Sequence, residues 1–227
     1  MNPQTSLREQ DVQVHADDAE LPGLLSVPQG AAAIVLFVHG SGSSRFSSRN
    51  RFVADVLQEG RMATLRFDLL TEDEHRVDER TRALRFDIGL LTRRLIGAVD
   101  WVKHEAQTQA MNVGLFGAST GAAAALVAAA ERQAEVQAVV SRGGRPDLAG
   151  DALKKVRAPV LLIVGGNDQP VIGMNEQAAG QLQTEHRLAI VEGATHLFEE
   201  PGTLDEAARL AQKWFRQHLL DESEQGR

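Results

Sequence analysis

The chain has 227 residues, is 43% hydrophobic, carries a formal charge of −7 and contains no cysteine. That is enough apolar material for one substantial core, which at this size buries roughly 70–75% of the unfolded surface. The acidic balance, with no block of Lys and Arg, argues against a nucleic-acid partner, and the missing thiols exclude disulfides, thiolate zinc sites and a cysteine nucleophile.

No Pro/Gly/Ser-rich tract divides the chain, so a single domain over 1–227 is expected, with its core at about 12–220 and a polar tail at 221–227. The N-terminus, MNPQTSLREQDVQVHADDAE, is polar and lacks an apolar leader. No apolar run approaches the ~20 residues of a membrane span. These features predict a cytoplasmic protein with no membrane partner, acting as a monomer or homodimer.

In chain order, LPGLLSV (Leu21 to Val27) and AAIVLFV (Ala32 to Val38) read as strands separated by PQG, a turn signal. They are expected to form a hairpin at one sheet edge. NRFVADVLQEG reads as a helix with Phe52, Val53, Val56 and Leu57 on one face and Gly60 ending it. MATLRF (Met62 to Phe67) is the next strand, and the charged TEDEHRVDERTR reads as a solvated loop. FDIGLLTRRLIGAVDWVKHEA is a long helix with a stripe of Leu90, Leu91, Leu95, Val99 and Val102.

NVGLF (Asn112 to Phe116) is apolar on both faces, as a central parallel strand is. A helix of small residues, TGAAAALVAAAER, follows it. Three further strands are expected: VQAVVS (Val136 to Ser141), APVLLIVGG (Ala158 to Gly166) and HRLAIVE (His186 to Glu192). The last helix, TLDEAARLAQKWFRQHLL, is expected to open with Thr203 as N-cap and Glu206 completing a capping box. Repeated strand–helix–strand units imply an α/β fold with a mostly parallel sheet covered on both faces. Right-handed crossovers place the loops that follow the strands on one edge, where ligands bind.

GASTG, Gly117 to Gly121, is a G-x-S-x-G pentapeptide between a strand and a helix. In that context it reads as a nucleophile elbow: the turn is too tight for side chains two residues either side of Ser119. Alone the pattern is weak, and the pentapeptide by itself favours a simpler reading in which Ser119 or Thr120 caps the alanine helix. An alcohol also needs a base. His15, His75, His104 and His218 lie in polar or helical surroundings, and His186 opens a strand. His196, in EGATHLFEEPG, follows the last strand and is the candidate base. His39 is expected to brace its loop instead.

Asp168, in LLIVGGNDQPV, follows a buried strand at the same edge and is the candidate acid; Asp147 is its rival. The chain order Ser119, Asp168, His196 is the one expected of the α/β-hydrolase fold. The oxyanion donors are then the backbone N–H groups of Thr120 and Ser41, with Gly42 as the alternative to Ser41.

With FVHGSGSS, GLFGASTGAAAAL, PVLLIVGGNDQPV and GATHLFEEPG in hand, the chain resembles the α/β-hydrolase superfamily. Within it, the resemblance is to the small dienelactone-hydrolase-like group, over about Leu21 to Leu219. It implies Ser119 as nucleophile, Asp168 as acid and His196 as base, with no metal and no cofactor. Dienelactone hydrolases proper use a cysteine nucleophile; the serine here points toward an esterase and away from dienelactone itself. Only RGGRPDLAGDALKKVR lies where many superfamily members insert a cap domain, so a lidless, fairly open site is implied.

The expected activity is hydrolysis of small or accessible carboxylic esters through an acyl-enzyme. The same triad would serve a serine peptidase or thioesterase, and a non-catalytic binding module on the fold is the competing class. Arg45, Arg142 and Arg145 fall near the active edge and are candidates to contact a substrate carboxylate or phosphate. The reading favoured for them is a salt bridge to a nearby acid.

Overall fold

A computed structural model describes residues 9–16 and 18–220. The tail expected at 221–227 and the first eight residues lie outside the described residues. Eight strands form one sheet: β1 (Glu9–Ala16), β2 (Ala19–Ser26), β3 (Ala33–Val38), β4 (Ala63–Phe67), β5 (Asn112–Ala118), β6 (Val136–Arg142), β7 (Val160–Gly165) and β8 (His186–Val191). Their order is β1-β2-β4-β3-β5-β6-β7-β8. The first two pairings, β1 with β2 and β2 with β4, are antiparallel; the rest are parallel.

The described residues form six α-helices: α1 (Ser48–Glu59), α2 (Glu72–Thr81), α3 (Ile88–His104), α4 (Thr120–Glu131), α5 (Gln169–Ala179) and α6 (Thr203–Leu219). Alternation along β3 sets the two layers. Ile34, Leu36 and Val38 face a core shared with α3 and α4, whereas Ala33, Val35 and Phe37 face one shared with α1 and α6. Both faces of the strand are therefore apolar, as a doubly covered parallel strand requires.

Three expectations are corrected. The hairpin is β1–β2, not Leu21–Val27 with Ala32–Val38: β2 pairs with β1 and β4, and β3 lies beyond β4. The chain before Leu21 thus contributes a strand, with Val14 and Ala16 on its buried face and polar residues on the other. The segment TEDEHRVDERTR is helix rather than loop. Glu74 N–H donates to Thr71 Oγ1 at 3.2 Å and Thr71 N–H to Glu74 Oε2 at 2.8 Å, a complete capping box. Asp78 on this helix is buried and takes two hydrogen bonds from Arg85, Nε at 2.6 Å and the backbone N–H at 2.9 Å. Burial raises its carboxyl pKa, but these bonds outweigh it and hold the group below the usual range.

The third correction concerns α6. Its N-cap is Gly202, at φ 82°, and Thr203 is the first helical residue. The Thr203 hydroxyl donates to Glu200 O at 2.7 Å, so no capping box with Glu206 forms. His218, expected at the surface, packs its ring 4.4 Å from that of Trp214. Between β6 and β7 run only two short 3-10 segments within Pro146–Lys155, broken at Gly150 (φ 54°), and no cap domain is inserted. No helix among the described residues is long and apolar enough to cross a membrane.

Candidate active site

Ser119 joins β5 to α4 at φ 52° and ψ −123°, a conformation that costs an L-residue of order 1–3 kcal/mol. The surroundings enforce it. Ser119 N–H donates to Arg142 O at 3.3 Å, and Ser119 O accepts from Ala122 N–H and Arg145 N–H, each at 3.1 Å. The flanking glycines are sterically required. A Cβ on Gly117 would meet Ala122 Cα at 2.5 Å, and one on Gly121 would meet Val38 O at 2.2 Å. Ser119 occupies the N-cap position of α4, yet its side chain does not cap the helix. Among the described residues its hydroxyl makes no hydrogen bond, so the simple capping reading does not hold.

Asp168 and His196 come together from the loops after β7 and β8. His196 Nδ1 lies 2.7 Å from Asp168 Oδ2. The two loops are locked to each other: Asn167 N–H donates to Ala194 O at 2.9 Å, and Gly165 leaves room for that same carbonyl. The His196 loop is closed by Thr195, whose N–H and hydroxyl both donate to the Glu200 carboxylate, at 3.0 and 2.6 Å. It is anchored by Phe198, buried at φ 56°. With Nδ1 committed to Asp168, Nε2 is the nitrogen left for a reacting group. Ser119 and His196 line one cavity of about 240 Å³. The rival acid Asp147 is instead paired with Arg145, through contacts of 2.8 and 2.9 Å.

The loop after β3 forms the opposite wall. Ser41 N–H donates to Thr120 Oγ1 at 3.0 Å, which ties this loop to the start of α4. One expected oxyanion donor is therefore engaged in the resting structure, while Thr120 N–H is among the N-terminal amides of α4 that have no partner within the helix. Gly42, at φ 72°, lines a second cavity of about 580 Å³ on the far side of the loop. His39 braces the loop as expected: Leu69 N–H donates to Nε2 at 3.2 Å, so the protonated Nδ1 donates to Gly40 O at 3.0 Å. Burial pushes this imidazole below its usual pKa range, against the opposing pull of Gly40 O and Asp68.

The three arginines separate cleanly. Arg45 is paired with Asp68, and its backbone N–H also donates to Asp68 Oδ1 at 2.6 Å. Arg145 is paired with Asp147. Each thus has an acid partner of its own. Arg142, buried at 6% exposure, lines the cavity with Ser119 and has no acid partner among the described residues. Sequence reasoning missed Asn50, buried on α1 and also lining the cavity. Its signal was a polar residue in register with the buried Val53, Ala54 and Leu57. No group of three His, Asp or Glu side chains suited to a metal ion occurs among the described residues.

The family model described as the dienelactone hydrolase family matches residues 21–220. A crystal structure of a dienelactone hydrolase from Anabaena variabilis is 61% identical, covers 94% of this chain and 99% of that one, and superposes with a TM-score of 0.93. Est1E from Butyrivibrio proteoclasticus is 16% identical over 91% of this chain and 98% of its own, with a TM-score of 0.76, a likeness of fold alone. A protein of Mycobacterium tuberculosis named "Putative phosphoribosyl transferase" is 55% identical over 213 residues. That match covers 94% of this chain but 47% of the relative, so the chain spans about half the length of the curated relative it matches.

Proposed function

Because the chain belongs to the dienelactone hydrolase family, we propose that it is a serine hydrolase cleaving small, accessible carboxylic esters through an acyl-enzyme. The observation that carries this reading is the placement of an uncapped, strained Ser119 in one cavity with His196, whose other ring nitrogen is bonded to Asp168 at 2.7 Å. Ser119 Oγ attacks the ester carbonyl carbon as His196 Nε2 takes the hydroxyl proton. The negative charge moves to the carbonyl oxygen, which accepts from Thr120 N–H and from Ser41 N–H once the latter turns from Thr120 Oγ1. The carbon–oxygen bond to the alcohol breaks, and the alcohol leaves with the proton from His196. Water, deprotonated by His196, attacks the acyl-serine and releases the acid and the free hydroxyl. Asp168 orients the imidazole and stabilises its charged form.

Mass-spectrometric mapping of a fluorophosphonate adduct tests the nucleophile. A panel of p-nitrophenyl esters, acyl-thioesters and peptide anilides on the same preparation tests the bond cleaved. The expected result is an adduct on Ser119 and turnover of esters ahead of the other two classes. Labelling with preferential thioester or anilide turnover would move the assignment to a thioesterase or peptidase. No adduct on folded protein would refute the hydrolase reading and leave a binding module on the same fold. Ser119→Ala should lower kcat by several orders of magnitude, and loss of one oxyanion donor by roughly 10²–10³-fold.

A further inference from the structure

We propose that the cavity beside Ser119 takes esters bearing a compact anionic group, carboxylate or phosphate, and that Arg142 binds that group. This rests on the hydrolase reading and names its substrate class.

Arg142 lies at the end of β6, directly across from Ala118 on β5, the residue before Ser119. Its side chain is all but removed from bulk solvent, yet none of the ion pairs found among the described residues involves it. A guanidinium has five N–H donors in a planar fork. Here Nη2 reaches only to 3.5 Å from Asn50 Oδ1, and Nε has no partner. The remaining contact is with the Phe198 ring, 5.6 Å away, which supplies no anion. Buried charges are as a rule paired, because an uncompensated one is strongly unfavourable. Arg45 and Arg145, each partly buried, follow that rule; Arg142 does not.

The rest of the cavity has the same sign. Arg49 lines it, and its acid contact, Glu199 at 3.4 Å, is a surface one. The N-terminus of α1 enters it through Ser47 and Asn50, with no acidic residue in the first turn of that helix. The Asn50 N–H is capped by Ser47 Oγ at 3.3 Å, and the positive end of the helix dipole favours an anion there. No Asp or Glu lines the cavity. Burial, with a further push from Arg49, brings the Arg142 pKa down to about 10, so it remains a cation at neutral pH. At about 240 Å³ the cavity suits a short acyl or alcohol group carrying the charge.

The test compares shape-matched pairs: p-nitrophenyl hemiglutarate with p-nitrophenyl pentanoate for carboxylate, and 2-acetoxyethyl phosphate with 2-methoxyethyl acetate for phosphate. Wild type should prefer the charged member of at least one pair by about tenfold or more in kcat/KM, a charge-assisted hydrogen bond being worth that much. Arg142→Gln should remove that preference, and Arg142→Lys should restore part of it. The pair that responds identifies the anion. A preference ratio identical in wild type and Arg142→Gln, or no charged preference in either pair, overturns the proposal while leaving the hydrolase reading intact if an uncharged phosphonate still labels Ser119. Glutarate and inorganic phosphate at millimolar concentration should slow that labelling in wild type. This readout needs no variant, and absence of protection by both anions also overturns the proposal. If Ser119 takes no phosphonate and no ester is cleaved, the hydrolase reading itself has failed, and the substrate class falls with it.

Discussion

Replacing Arg142 by methionine should make the protein more stable. The side chain is nearly fully buried, and burial pushes its pKa down to about 10. At ~1.4 kcal/mol for each pKa unit by which burial lowers it, the buried charge costs on the order of 3 kcal/mol. The sign follows from proton linkage. A cation whose folded pKa is depressed holds its proton less tightly when folded, so the cost is present in full at neutral pH and disappears only above the unfolded value. Against it stand the Phe198 contact, worth roughly 0.5–1 kcal/mol, and a 3.5 Å approach to Asn50 too long to count for much. Methionine keeps most of the stem's packing. The net gain expected is about 2 kcal/mol, or a rise in Tm of about 4–8 °C for a domain of this size. Urea unfolding at pH 7, with the m-value unchanged, is the assay. Glutarate or phosphate should stabilise wild type and leave Arg142→Met unmoved. A variant less stable than wild type by about 1 kcal/mol or more would refute the reasoning, because Arg142 would then be holding the fold together.

Three other perturbations follow from the geometry. Ser119→Gly should be more stable than Ser119→Ala by about 1 kcal/mol, since only glycine relaxes at φ 52°, and a reversed order in urea unfolding would show that the elbow is unstrained. Gly121→Ala places a Cβ 2.2 Å from Val38 O and 2.6 Å from His39 O, both backbone atoms; a loss of about 3 kcal/mol or failure to fold is expected, and a well-folded variant of ordinary stability would contradict the close packing of α4 on β3. Burial lowers the pKa of His39 and that of His218, where Glu185 partly opposes the shift. The unfolded chain takes up more protons than the folded one as pH falls below about 6.5, so stability should decline there by at most ~1.4 kcal/mol per pH unit for each histidine. His39→Asn should flatten that slope in urea midpoints measured between pH 7 and 5; an unchanged slope would remove His39 from the account.

The helix over TEDEHRVDERT shows where the sequence misleads. Its T-x-x-E start was a legible capping box, but ten residues with hardly an apolar side chain gave no periodicity to set against their charge. What orders it is remote: Arg94 of α3 donates to Glu74 at 2.7 Å, and Arg85 neutralises the buried Asp78. The β1 strand was hidden for a related reason. An edge strand covered on one face needs only Val14 and Ala16 to be apolar, and the polar residues between them look like a solvated terminus. Ser119, Asp168 and His196 stood out as candidates because each lies in the segment that follows a strand, and a parallel sheet brings such segments to one edge. Which arginine would lack an acid was not legible. Arg45 finds Asp68 across 23 residues and Arg145 finds Asp147 across two, whereas Arg142 finds none; only the folded chain distinguishes them.

The short run between β6 and β7 bears on rhythm as well as shape. On the proposed mechanism, and with no cap inserted there among the described residues, nothing at that point has to open between one turnover and the next. Catalysis should therefore be insensitive to added viscogens such as sucrose except where encounter with substrate is itself limiting. On the same mechanism, small added alcohols should intercept the acyl-serine, giving transesterification in proportion to their concentration.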